Sequence, residues 1–169
     1  MIRLFLCSSV LLCLAFAQGY ADEHFPFLGE ASKESVHIRA GANINFESLG
    51  KLNKGGQVVV TGRHYEWYKV RLPVTISVYV RADYVKDMGN ATGTVIADKV
   101  NVRARADSES SPLGQMNKGD PVKLVEQAPP LAGQVNGWWK IEPPASAEGW
   151  VHADLIIPAP PKAGVAAKP

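Results

Sequence analysis

Apolar residues alternate with polar ones along several short stretches of this chain: Val36 with Ile38, Val58 with Val60, Val100 with Val102, and Val122 with Leu124. A period of two sends successive side chains to opposite faces of an extended backbone, so each stretch predicts a half-buried β-strand. Turn signals separate the strands: Lys54-Gly55-Gly56, Lys118-Gly119-Asp120, then Pro73 and the pair Pro143-Pro144. Short strands at such regular spacing predict an all-β chain of small antiparallel barrels.

The pattern occurs twice. Residues 36–58 laid over 100–122 give ten identities in 23 positions at a constant offset of 64, among them Val36 with Val100, Arg39 with Arg103, Gly50 with Gly114 and Lys54 with Lys118. The match resumes at an offset of 71, where Trp67, Lys69, Val80, Ala82 and Asp83 equal Trp138, Lys140, Val151, Ala153 and Asp154. The seven additional residues fall in QAPPLAGQVNG, Gln127 to Gly137, whose Pro and Gly content predicts an exposed loop. Two tandem modules are expected, over 22–87 and 93–157. Met88 to Thr92 is the expected linker, and 158–169 is an extended Pro/Ala-rich tail. Pro158 and Pro161 make one PxxP match there, read as part of a spacer.

Before Asp22 the chain has a different character: Arg3 is followed by an apolar run from Leu4 to Ala17 and then by Gly19-Tyr20-Ala21. This predicts a secretory signal peptide over 1–21, cleaved after Ala21. Both cysteines, Cys7 and Cys13, lie inside it, so the mature chain is expected to hold no disulfide. Removing the leader takes one positive charge from a net charge of +2, which leaves no electrostatic footprint for nucleic acid. The product is expected in the periplasm or outside the cell, with no stable membrane span.

Strand parity sorts the aromatic residues, because side chains two apart share a face. In GWWKI, Trp139 goes with Ile141 toward the core and Trp138 with Lys140 outward. Tyr68 with Val70 and Trp67 with Lys69 repeat this. Val151, Ala153 and Leu155 are expected inside, and Trp150 and His152 outside, with Tyr79 and Arg81 as their counterparts. Outward Trp138 and Trp150 either cover a barrel edge or contact a ligand. Arg39 and Arg103 are expected to hold a carboxylate or loop carbonyls, and Asp83 and Asp154 to serve as a cap or a turn. No metal-ligand spacing, nucleophile elbow, P-loop or dinucleotide fingerprint is present, so neither catalysis nor a cofactor is expected.

The series VNVRARAD, LGQMNKGDPVKLV, GWWKI and GWVHADLI resembles the bacterial Src-homology-3-like domain. VHIRAGAN, LGKLNKGGQVVV, EWYKV and YVRADYV resemble a more divergent copy. The resemblance implies two compact barrels and noncatalytic binding to peptidoglycan or another envelope component, a role often exercised beside a cell-wall hydrolase domain. Glu66, Val78 and Tyr79 depart from the second copy's Gly137, Gly149 and Trp150, so the second copy is expected to be the better binder. The expected ligand-binding residues are Trp138, Lys140, Trp150, His152 and Arg103, with Trp67 and Tyr79 in the first copy. The alternative is an envelope protein interaction adaptor, for which the apolar stretch Ile76 to Tyr79 would form an exposed patch.

Overall fold

A computed structural model describes residues 24–129 and 137–160. The expected signal peptide with both cysteines, most of the loop 127–137 and the tail beyond residue 160 lie outside the described residues. Among the described residues, fourteen strands follow in chain order. The first repeat supplies β1 (Phe27–Ala31), β2 (Val36–Arg39), β3 (Ser48–Leu52), β4 (Gln57–His64), β5 (Trp67–Arg71), β6 (Val78–Arg81) and β7 (Val85–Gly89). The second supplies β8 (Thr92–Val95), β9 (Val100–Arg103), β10 (Pro112–Met116), β11 (Pro121–Ala128), β12 (Trp138–Ile141), β13 (Glu148–His152) and β14 (Ile156–Pro158). Single 3-10 turns, Ala82–Tyr84 and Ala153–Leu155, precede β7 and β14. The all-β expectation holds, and the alternating residues are buried: Val36, Ile38, Val58, Val60, Val100, Val102, Val122 and Leu124 all belong to the core.

The strands form two seven-stranded antiparallel sheets, and these do not coincide with the two sequence repeats. The first sheet has the order β14-β1-β4-β5-β13-β2-β3 and the second the order β7-β8-β11-β12-β6-β9-β10. Replacing each strand by its repeat counterpart turns one order into the other, so the sheets are equivalent. Each, however, takes its last two strands from the other repeat. β13 inserts between β5 and β2, while β6 inserts between β12 and β9. The sheets thus cut across the expected units 22–87 and 93–157: the second sheet is built from one continuous segment, β6 through β12, and the first from the segments flanking it.

The join between the repeats explains the exchange. Residues 88–92, expected as a linker, form a hairpin in which Val85 pairs with Val95 and Gly89 with Thr92. Only Asn90 and Ala91 lie between the strands, with φ of 51° and 56°. Positive φ at both central positions belongs to the two-residue turn whose twist matches that of paired strands. A turn this short makes β7 and β8 neighbours in one sheet, so β7 is unavailable to β1, whose edge is taken by β14 instead.

The crossings at 72–77 and 142–147 lie against one another, with the Leu72 N–H donating to the Ala147 carbonyl at 3.5 Å. The apolar segment Leu72 to Val80 therefore enters the shared core. Ile76 is 5% exposed and Val78 and Val80 are fully buried, so the exposed patch expected for Ile76 to Tyr79 does not exist. Glu47, just before β3, accepts hydrogen bonds from the Ser111 N–H at 3.1 Å and Oγ at 2.9 Å, just before β10. Residues 47 and 111 are themselves repeat counterparts, so this contact marks the pseudo-twofold relation between the sheets.

Candidate functional site

Each sheet carries a groove where its β2–β3 or β9–β10 loop faces the 3-10 turn of the exchanged segment. The groove on the second sheet, about 290 Å³, is lined by Trp138, Arg103, Lys99 and Asn101 of the second repeat together with Arg81 and Tyr84 of the first. The groove on the first sheet, about 220 Å³, is lined by Trp67, Arg39, Ser35 and His37 of the first repeat together with His152 and Leu155 of the second. These sets correspond position by position: 67 with 138, 39 with 103, 35 with 99, 37 with 101, 152 with 81, and 155 with 84. Because of the exchange, neither groove can be assembled from one repeat.

The common frame is a tryptophan and an arginine, present in both linings. Arg39 Nη1 donates to the Phe46 carbonyl at 2.8 Å, and Arg103 Nη1 to the Ser110 carbonyl at 2.5 Å. Both arginines thus pin the loop that overhangs the groove, which was one of the two roles read from the sequence. Trp138 lies on the outer face of β12, opposite Arg81, as parity predicted. Yet it is 0% exposed, whereas Trp139 is half-buried and packs against the core. Parity assigns a face, not an exposure. The Arg81 guanidinium lies 5.9 Å from the centre of the Trp138 ring, so a side chain from the exchanged strand helps to cover it.

The exchange also divides the expected ligand-binding residues. Trp138, Arg103, Lys140 and Tyr79 belong to the second sheet, whereas Trp150, His152 and Trp67 belong to the first. Trp138 and Trp150 therefore do not share a surface. Trp138 and Arg103 line one groove, and Trp67 and His152 line the other. Lys140, Tyr79 and Trp150 lie outside both. Tyr79 stands in register with Arg103 on one side and Lys140 on the other, and Lys140 Nζ lies 4.0 Å from Glu126. Trp150 occupies the matching place between Arg39 and Lys69, with Lys69 Nζ 5.4 Å from its ring centre.

The two grooves differ in charge. In the second, Arg81 Nη2 meets Asp83 at 2.6 Å, while its buried Nε has no hydrogen-bond partner among the described residues. In the first, His152 replaces Arg81 and lies 3.8 Å from both Glu66 and Asp154. His37 hydrogen-bonds Ser48 Oγ through Nδ1 at 2.7 Å. Burial, helped by the charges of Lys51 and Arg39, holds its pKa below the ordinary value and favours the neutral ring. Asp83 and Asp154 lie in the first turn of the two 3-10 elements, each two residues after the N-cap residue, Arg81 or His152. Arg81, Tyr84 and Lys99 were not among the residues singled out for binding. Arg81 was legible as the counterpart of His152, but only the exchange brings it beside Trp138.

Among the described residues no helix is long and apolar enough to cross a membrane, and no group of three His, Cys, Asp or Glu residues is arranged to hold a metal ion. A family model described as the bacterial SH3 domain matches residues 34–86 and 98–157. A beta-N-acetylglucosaminidase of Bacillus subtilis (strain 168) is 33% identical over 114 residues, 63% of this chain and 11% of that protein. A protein of the same organism described as a putative N-acetylmuramoyl-L-alanine amidase is 23% identical over 138 residues, 72% of this chain and 25% of that protein. The chain thus matches only a small part of either relative's length. No solved structure matches significantly.

Proposed function

The chain belongs to the bacterial SH3 domain family, and from that premise we propose that it is an exported, noncatalytic protein that attaches to the bacterial cell wall. The observation that carries this reading is the pair of equivalent grooves, each with a tryptophan in its lining and an arginine that pins its loop. Apolar area fixed by a few polar groups is the usual chemistry of a ligand site. The relatives support the wall as the target, since their names specify an N-acetylglucosamine linkage and the amide between muramic acid and L-alanine. Both matches cover minor parts of those hydrolases, which is consistent with a shared attachment module rather than a shared catalytic one. The ligand is peptidoglycan stem peptide or glycan. Retention of the protein on purified sacculi at low salt tests the reading, and a protein that stays in the supernatant refutes it. The adaptor alternative loses its main support, because the apolar patch it required is buried.

A further inference from the structure

The two grooves share a frame and differ in the residues that would face a ligand. Where the first has Ser35, His37, His152 and Leu155, the second has Lys99, Asn101, Arg81 and Tyr84. The second groove thus gathers three permanent cations, Arg81, Arg103 and Lys99, against one lining acid, Asp98, with Asp83 paired to Arg81. Asp83 occupies one end of the Arg81 guanidinium, and Asp98 accepts the Lys118 N–H at 3.1 Å. Neither Lys99 nor Arg103 has a carboxylate partner among the described residues, and the buried Arg81 Nε has no acceptor. A buried donor without an acceptor is costly, and an oxyanion toward which the partly exposed Arg81 side chain turns removes that cost. Exposed Tyr84 supplies apolar area beside it, with Trp138 buried against the Arg81 guanidinium.

Resting on the cell-wall reading, we infer that the second groove binds the free carboxylate of a short peptide, and that the specificity-determining cation, Arg81, reaches it from the other repeat through strand exchange. A guanidinium presents donors in a planar fork suited to a carboxylate. Arg103 is pinned to the Ser110 carbonyl and frames the pocket, whereas Arg81 retains a donor that nothing in the fold satisfies. The first groove, with His152 between Glu66 and Asp154 at 3.8 Å, lacks the corresponding permanent cation and discriminates poorly for a carboxylate.

The test uses the full chain and two probes, acetyl-alanyl-alanine as the free acid and as its C-terminal amide, followed by the indole N–H resonances of Trp138 and Trp67. The free acid should shift Trp138 saturably at neutral pH, and the amide should bind at least tenfold more weakly. Arg81→Gln, although it lies in the first repeat, should weaken the free acid by a similar factor and leave the indole spectrum of the free protein folded. Lys99→Gln, an exposed change that does not threaten folding, should weaken it several-fold. His152→Arg should give the first groove a response at Trp67. Equal binding of acid and amide, an unchanged affinity in Arg81→Gln, or a wild-type response at Trp67 in place of Trp138 would each overturn the inference. Inorganic phosphate binding as tightly as the peptide acid would overturn the peptide assignment. Sacculus retention without binding of the free acid refutes this inference alone, and binding of the free acid without retention refutes the cell-wall reading alone.

Discussion

Gly149 offers the sharpest test of how side-chain size fixes the exchange. It lies in β13, inserted in the first sheet, and its repeat counterpart is Val78, fully buried in the second sheet opposite Ile141. A Cβ at position 149 would stand 2.7 Å from Ile38 Cγ2, 2.7 Å from Leu72 Cδ2 and 3.3 Å from the Arg39 carbonyl oxygen. Carbon atoms in favourable contact are about 3.5–4.0 Å apart. Leu72 can turn its terminal methyl aside, but Ile38 Cγ2 sits on a branched carbon in a central strand and has little freedom. The second sheet carries Val102 and Pro143 at the places of Ile38 and Leu72. Large Ile38 thus meets glycine, and smaller Val102 shares its sheet with valine. Gly149→Val should cost about 1–3 kcal/mol by overpacking. For a chain of this size that lowers Tm by about 2–12 °C, at about 2–4 °C per kcal/mol. Ile38→Ala, which removes the Cγ2 that a new Cβ would meet (Ile38→Val would keep it), should alone cost about 2–5 kcal/mol. Combined with Gly149→Val it should cost clearly less than the sum of the two losses, because the branched methyl in the way is gone. Thermal unfolding of the four proteins by circular dichroism measures the cycle. An unchanged Tm for Gly149→Val, or simple addition of the two losses, would refute this account of the packing.

Because each sheet holds strands from both repeats, neither can unfold alone, and urea denaturation followed by fluorescence and by circular dichroism should give coincident single transitions; two separated midpoints would contradict this. Ala91 adopts φ of 56° in the β7–β8 turn, a region that disfavours a residue with a Cβ by about 1–2 kcal/mol, so Ala91→Gly should raise the denaturation midpoint, and a lowered one would count against the turn. Partial burial raises the Glu47 pKa, but the Ser111 hydrogen bonds and the charge of Arg105 outweigh it and hold the carboxyl below its ordinary 4.5. The resulting stabilisation is fully present above about pH 4.5 and is lost as pH falls through the lower folded value, so Glu47→Gln should destabilise at neutral pH and flatten the acid limb of a stability profile. An unaltered acid limb in that variant would remove Glu47 from the inter-sheet contact.

The strands were legible because each shows its alternation locally. Val36 and Ile38, or Val100 and Val102, are buried whichever sheet they join, so the pattern fixes an element and a face. The same local character hid the exchange, since β6 and β13 share one alternation, and the difference that ties each to its sheet, Val78 against Gly149, shows only once Ile38 and Leu72 stand beside β13. The decisive signal was the shortness of MGNAT. Read as a linker it allowed two separate modules, but a two-residue turn between strands forces them into one sheet. The division of the expected binding residues between two sheets follows from that single step. Trp150 and Trp138 are close in sequence and parity, yet a strand exchange lies between them. Arg81, read merely as the counterpart of His152, crosses to the other groove.

The pairing of β1 with β14 has a mechanical consequence. The chain enters the first sheet at Phe27 and leaves it at Pro158, and the antiparallel register sets Gly29 against Pro158, so both described ends depart from the same corner of one edge. Tension between them loads the rungs of that edge one after another, as in opening a zip, rather than shearing all of them together. The second sheet lies entirely between the crossings at 72–77 and 142–147, off the line of force. A pull strong enough to peel β14 away must next extract β13, and with it His152, from the first groove before any load reaches Trp138. One groove is therefore the fuse in this fold, and the other is sheltered behind it.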